Sequence, residues 1–173
     1  MQTLMKEKEK IMTRRFAAAF VWLALSLVVL DAHVVVTPRE STAGAEQLYT
    51  VRVPTEGTVS SMSLELEIPA GMHVIQVTSG EGFTFDVKKD GDRIVSITWK
   101  REIKPKEFAL FTFTAHNPQP GALQWKAHQT FADGSMRHWI GERGTKEPAS
   151  VTTIVPKGGT TAAPAADPAH KHP

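Results

Sequence analysis

Ser63-Leu64-Glu65-Leu66-Glu67-Ile68 alternates polar and apolar side chains without a break. A period of two puts Leu64, Leu66 and Ile68 on one side of an extended chain and the glutamates on the other, which a helix cannot do. The same period recurs along the chain. Tyr49, Val51 and Val53 alternate with Thr50 and Arg52, and Phe83, Phe85 and Val87 with Thr84, Asp86 and Lys88. Val95, Ile97 and Trp99 make another face, as do Leu123, Trp125 and Ala127. Pro69-Ala70-Gly71, Asp90-Gly91, Asn117-Pro118-Gln119-Pro120-Gly121 and Asp133-Gly134 punctuate these runs with turn chemistry. Two segments read less cleanly. His73, Ile75 and Val77 compete with Met72 and Val74 for the buried face. Phe108 to Phe113 is apolar at successive positions, which fits either a central strand covered on both faces or a strand with a bulge. Nothing between His33 and Val155 keeps a helical period over a useful length. Short strands at regular spacing imply a β-sandwich or barrel.

The first 32 residues belong to a different class. Lys6, Lys8, Lys10, Arg14 and Arg15 precede an apolar run from Phe16 to Leu30, and Ala32 is the small residue before His33. This is the layout of a secretory signal peptide. The run of fifteen is short against the about 20 apolar residues a membrane span needs. Met12 would give a shorter basic region as an alternative start, and an uncleaved anchor is the competing reading. The formal charge of +2 comes from this segment, because five of the 20 Lys/Arg and three of the 18 Asp/Glu lie in it. The remainder is neutral and has no basic stripe, so nucleic acid is not expected as a partner. The chain has no cysteine, which excludes disulfides, thiolate metal sites and cysteine nucleophiles. From Lys157 onward Gly, Ala and Pro dominate, and residues 157–173 are expected to form a disordered tail. Its His170 and His172 read first as incidental.

Cleavage after Ala32 would change the chemistry of His33. The α-amine and the imidazole Nδ1 of one residue close a six-membered chelate ring, with little entropy lost because covalent structure fixes the geometry. Nitrogen donors suit Cu(II), which stands highest in the divalent affinity order. The metal must displace a proton from an amine with an ordinary pKa of about 7.7–8.0. An internal histidine cannot do this, because its nitrogen is an amide. A carboxylate would complete the set, and Glu56 is the candidate because it follows Val51-Arg52-Val53-Pro54-Thr55 where that strand gives way to a loop. By residues alone it reads first as a solvated loop carboxylate.

Several blocks in order resemble one family. They are Ala32-His33-Val34-Val35-Val36-Thr37-Pro38 after a signal peptide, Val51-Arg52-Val53-Pro54-Thr55-Glu56 and Ile97-Thr98-Trp99. Pro120-Gly121-Ala122-Leu123-Gln124-Trp125-Lys126 and Gln129-Thr130-Phe131-Ala132-Asp133-Gly134 follow, with His138-Trp139-Ile140-Gly141 last. Together they are similar to the YcnI-type copper-binding domain of bacterial secreted proteins, from His33 to about Val155. The resemblance implies an all-β fold, an immunoglobulin/cupredoxin-like antiparallel β-sandwich spanning 33–156. It implies one Cu(II) held by a monohistidine brace, with His33 and Glu56 as ligands and Trp139 near the metal. By residues alone Trp139 reads as a core tryptophan, like Trp99 and Trp125. The implied role is copper trafficking or homeostasis in the periplasm or outside the cell, with the copper ion and copper transport or chaperone proteins as partners. Many members end in a transmembrane helix; here no stable membrane span is expected after signal cleavage.

Two other readings compete. A copper-dependent oxidative enzyme shares the N-terminal histidine but typically carries a second histidine ligand, and no motif places one beside His33. A sandwich that binds a protein partner without metal would leave His33 incidental. The expectation is a non-enzymatic copper-binding module. His138 is expected to face away from Trp139, and His73, His116 and His128 to be surface or hydrogen-bonded histidines.

Overall fold

A computed structural model describes residues 33–158. The signal peptide expected over 1–32 and the tail beyond residue 158, with His170 and His172, lie outside the described residues. Within them there are twelve strands and no helix: β1 (Val35–Thr37), β2 (Glu40–Thr42), β3 (Glu46–Pro54), β4 (Ser61–Glu67), β5 (His73–Val77), β6 (Thr84–Asp90), β7 (Arg93–Ile103), β8 (Phe108–His116), β9 (Gly121–Trp125), β10 (Ala127–Phe131), β11 (Met136–Trp139) and β12 (Ser150–Val155). They form a four-stranded sheet in the order β1-β3-β8-β5, a five-stranded sheet β11-β10-β4-β7-β6 and a three-stranded sheet β2-β12-β9. All pairings are antiparallel except β2 with β12, which is parallel.

The sandwich closes because each alternating strand has one apolar face. Tyr49, Val51 and Val53 of β3 and Ala109, Phe111 and Phe113 of β8 are buried. Leu64 and Leu66 of β4 and Ile97 and Trp99 of β7 meet them from the five-stranded sheet. Trp99 stacks on Phe111 with ring centroids 5.1 Å apart, and Phe113 meets Trp125 of β9 edge-on at 5.8 Å. The four-stranded sheet is therefore one layer, and the other two sheets cover it. Leu123, Trp125 and Ala127 share the expected face, but the run is not one strand. β9 ends at Trp125, Lys126 accepts a bond from the Glu67 amide, and β10 continues in the neighbouring sheet.

Two expectations need refinement, and one strand has no sequence signal. Met72 and Val74 take the buried face of β5, while His73 and Ile75 are exposed. β8 is neither covered on both faces nor bulged. Phe108 and Leu110 are 54% and 52% exposed, and the register shift lies in β5, between Val74 and Gln76. The outer face of this sheet is open, and the Arg52 guanidinium lies over the Phe108 ring at 4.7 Å, covering apolar surface without burying it. Finally, β2 has no apolar alternation to announce it, because Glu40-Ser41-Thr42 is held by backbone pairing with β12.

Thr55 Oγ1, Ser61 Oγ and Trp99 Nε1 are buried without a hydrogen-bond partner, but other polar groups inside the sandwich are paired. The Tyr49 hydroxyl donates to Asn117 Oδ1, and Asn117 Nδ2 donates to Ser41 Oγ and to the Thr42 carbonyl, both at 2.8 Å. Burial pushes the Tyr49 hydroxyl up to about 12, against a smaller opposing effect from the Ser41 hydroxyl.

Candidate metal centre

β1 is short because it runs from a bend at His33 to Thr37, with Pro38 next. Val34 and Val36 are buried, which anchors the strand on both sides of Val35. It pairs with β3 so that Val35 faces Arg52, Val36 faces Val51 and Thr37 faces Thr50. Continued upstream, the same register sets His33 level with Pro54, two residues before Glu56. On its other side β1 is tied to β12. The Val36 amide donates to Ser150 Oγ at 2.9 Å, taking a donor that strand pairing leaves over.

β3 ends in a clamp. The Thr55 amide donates to the Glu107 carbonyl at 2.9 Å, and the Lys106 amide donates to the Thr55 carbonyl at 2.8 Å. Thr55 is buried between these bonds, and Glu56 is the first residue to emerge into solvent. Gly57 follows with φ +83°, a left-handed conformation that suits glycine, and the chain turns away. The Glu56 carboxylate is thus exposed on a loop whose base is fixed.

β11 brings in Trp139. The Asp133-Gly134 turn returns the chain beside β10, with Gly134 at φ +81°. Asp133 Oδ1 accepts from the Ser135 amide at 2.9 Å and from the Ser135 hydroxyl at 2.6 Å, and these bonds hold its carboxyl below the usual range. Trp139 is 2% exposed, yet its indole meets the His33 ring edge-on, with centroids 5.6 Å apart and planes at 80°. The His33 and Trp139 rings are therefore neighbours.

A residue without an assigned role ties β11 to the end of β3. Gln129 of β10 is 1% exposed. Its Oε1 accepts from Trp139 Nε1 at 3.2 Å, and its Nε2 donates to the Pro54 carbonyl at 3.0 Å. The indole N–H can only donate and the proline carbonyl can only accept, so these two partners fix which way the amide points. One side chain thereby locks the tryptophan behind His33 to the strand end that carries Glu56. The signal was legible: Ala127, Gln129 and Phe131 share the buried face of β10, and a glutamine at such a position needs partners for both ends of its amide.

Among the described residues, no group of three or more His, Cys, Asp or Glu side chains is arranged to hold a metal. A brace would supply only two such side chains, His33 and Glu56, with a backbone amine as the third donor. His138 lies on the opposite face of β11 from Trp139, as alternation requires. No helix among the described residues is long and apolar enough to cross a membrane.

Residues 33–155 match the family described as a domain of unknown function, DUF1775. The chain is 35% identical over 128 residues to the copper-binding protein CutI of Bacillus subtilis (strain 168), an alignment covering 72% of this chain and 63% of that protein. The chain thus spans less than two thirds of this relative's length. Among solved structures, an uncharacterized protein from Nocardia farcinica with an immunoglobulin-like fold superposes with a TM-score of 0.63 at 23% identity, covering 72% of this chain and 99% of that one. A cohesin module from a Clostridium perfringens family 33 glycoside hydrolase gives a TM-score of 0.50 at 14% identity, covering 72% and 97%. At these identities both speak for the fold alone.

Proposed function

The chain belongs to the DUF1775 family, in its YcnI-like group, and from that premise we propose that it is an exported copper-binding protein whose site is created when the chain is cut before His33. Processing at that bond converts the His33 amide nitrogen into an amine. The amine and the imidazole would then hold Cu(II) as a chelate, and the Glu56 carboxylate would supply an oxygen donor. This set fits the metal: two nitrogens and a carboxylate oxygen suit tetragonal Cu(II). The observation that carries the reading is the packing of the His33 ring on Trp139, which Gln129 ties to Pro54 at the root of the Glu56 loop.

The protein's own groups have distinct tasks in this scheme. Val34 and Val36 fix the strand, so the terminal residue is presented at one place. Trp139 supplies a rigid wall against one side of the imidazole. Gln129 holds that wall to β3, and the clamp at Thr55 limits how far the carboxylate can wander. Such an arrangement binds and holds an ion; its role is copper handling outside the cytoplasm, with copper transport or chaperone proteins as the exchange partners, and it needs no substrate pocket.

The test compares protein beginning at His33 with protein that retains Ala32. The first takes up one Cu(II) more than the second in chelator competition, because the His33 nitrogen of the second is an amide. Glu56→Gln weakens binding with the fold unchanged. Equal affinity in the extended protein would remove the brace, and an unchanged Glu56→Gln titration would remove that ligand.

A further inference from the structure

On the outer face of the five-stranded sheet, away from Trp139, three titratable side chains converge. His128 of β10 and His138 of β11 are directly opposed in the antiparallel register. Their Nδ1 atoms lie 2.7 Å apart, with ring centroids at 5.0 Å and planes at 67°. His128 Nε2 meets Glu67 Oε1 of β4 at 2.9 Å. A carboxylate can only accept, so this bond puts the hydrogen on His128 Nε2 and leaves the Nδ1 lone pair of the neutral ring aimed at His138. This is how a carboxylate orients a metal-bound histidine through its remote nitrogen. Glu65 sits directly opposite His128 on β4, adding a second negative charge to the same face.

We propose that His128 and His138 form a second metal site, a two-imidazole seat for a divalent ion of tetragonal preference such as Cu(II), independent of His33. Two nitrogens bound at about 2.0 Å and 90° apart are about 2.8 Å from each other, against about 3.3 Å in a tetrahedral site. The observed separation is close to the first, but 2.7 Å between nitrogens with centroids at 5.0 Å sets the rings head-on, so both must turn before their lone pairs converge on one ion. His138 carries its hydrogen on Nε2 in the bound state, and both Nδ1 atoms donate to the metal. The rings are accessible to solvent, so water fills the remaining positions. The Asp133-Gly134 turn, closed by its Ser135 bonds, presents the pair already opposed, which lowers the ordering cost of binding. Only two side chains ligate and Glu67 stays outside the coordination shell, so no three-residue cluster is required.

The fold offers a contrasting pair. His73 and His116 are also directly opposed, across β5 and β8, but no described contact joins their rings and the β5 register shift lies just beyond them. The experiment titrates Cu(II) into the full chain, in which the His33 nitrogen is an amide, using chelator competition and electron paramagnetic resonance. One Cu(II) with nitrogen hyperfine structure from two imidazoles is expected, lost in His128→Ala and in His138→Ala. Glu67→Gln weakens it by about tenfold. The double variant His73→Ala/His116→Ala retains it. Circular dichroism establishes that each exposed-site variant is folded. An unchanged Cu(II) count and spectrum in His128→Ala/His138→Ala overturns the proposal, as does a loss that follows His73 and His116 instead. His33→Ala in the protein beginning at His33 reports on the brace separately, so either site can fail while the other stands.

Discussion

Replacing Gln129 by methionine strips two buried groups of their partners at once. The indole N–H of Trp139 loses its acceptor and the Pro54 carbonyl loses its donor. A buried polar group left unsatisfied costs about 1–3 kcal/mol, so the pair is worth about 2–6 kcal/mol. Methionine fills nearly the same volume, which keeps the cavity contribution small. We expect a loss of about 3 kcal/mol, and a fall in Tm of about 10 °C for a domain of this size. Urea denaturation followed by tryptophan fluorescence and by circular dichroism measures it. Trp139→Phe provides the second arm of a double-mutant cycle. With the indole N–H gone, methionine at 129 orphans only the Pro54 carbonyl, so the two changes together cost less than their sum by about 1 kcal/mol or more. Gln129→Met within about 0.5 kcal/mol of the parent protein would refute the account, because that is the range of surface substitutions away from such features.

Other outcomes follow from the same geometry. Cu(II) added to protein beginning at His33 should quench the Trp139 share of the fluorescence, and Trp139→Phe should remove that share while Trp99 and Trp125 still emit. Ser150→Ala should cost about 1–2 kcal/mol, because the Val36 amide is then buried without an acceptor; hydrogen exchange at Val36 should speed up more than at Val51. The raised Tyr49 hydroxyl means that the folded state favours the protonated phenol. Its contribution is full below the unfolded value of about 10 and is lost as pH rises toward about 12. Denaturation at pH 8 and pH 11 should therefore show a smaller alkaline loss in Tyr49→Phe than in the parent.

The alternating runs were legible because one face of each strand meets a core and the other meets water. Leu64, Leu66, Tyr49, Val51 and Val53 are buried as their period requires. Phe108 and Leu110 misled for the converse reason: apolar residues are common on open surfaces, and sequence does not say that a guanidinium two residues before the partner strand's end will lie over the ring. The change of sheet at Lys126 was not legible either, since the side-chain period carries straight through it and only the hydrogen-bond partners change. In the site, His33 and Trp139 were brought together by family likeness rather than by spacing. Gln129 is the residue the pattern exposes most plainly, a polar amide in a row of core positions. The meeting of His128 with His138 depends on the register that the Asp133-Gly134 turn imposes, and parity alone gives only the shared face.

The burial of Val34 and Val36 also bears on timing. A peptidase holds several residues beyond its cleavage point in an extended, accessible form. Only Val34 separates His33 from β1, and in the folded sandwich the side chains of Val34 and Val36 are withdrawn into the core. A cut before His33 therefore belongs to the interval before β1 docks. Under the proposed function, export, cleavage and folding form an ordered sequence, and a chain that folds first is locked out of making its own metal ligand.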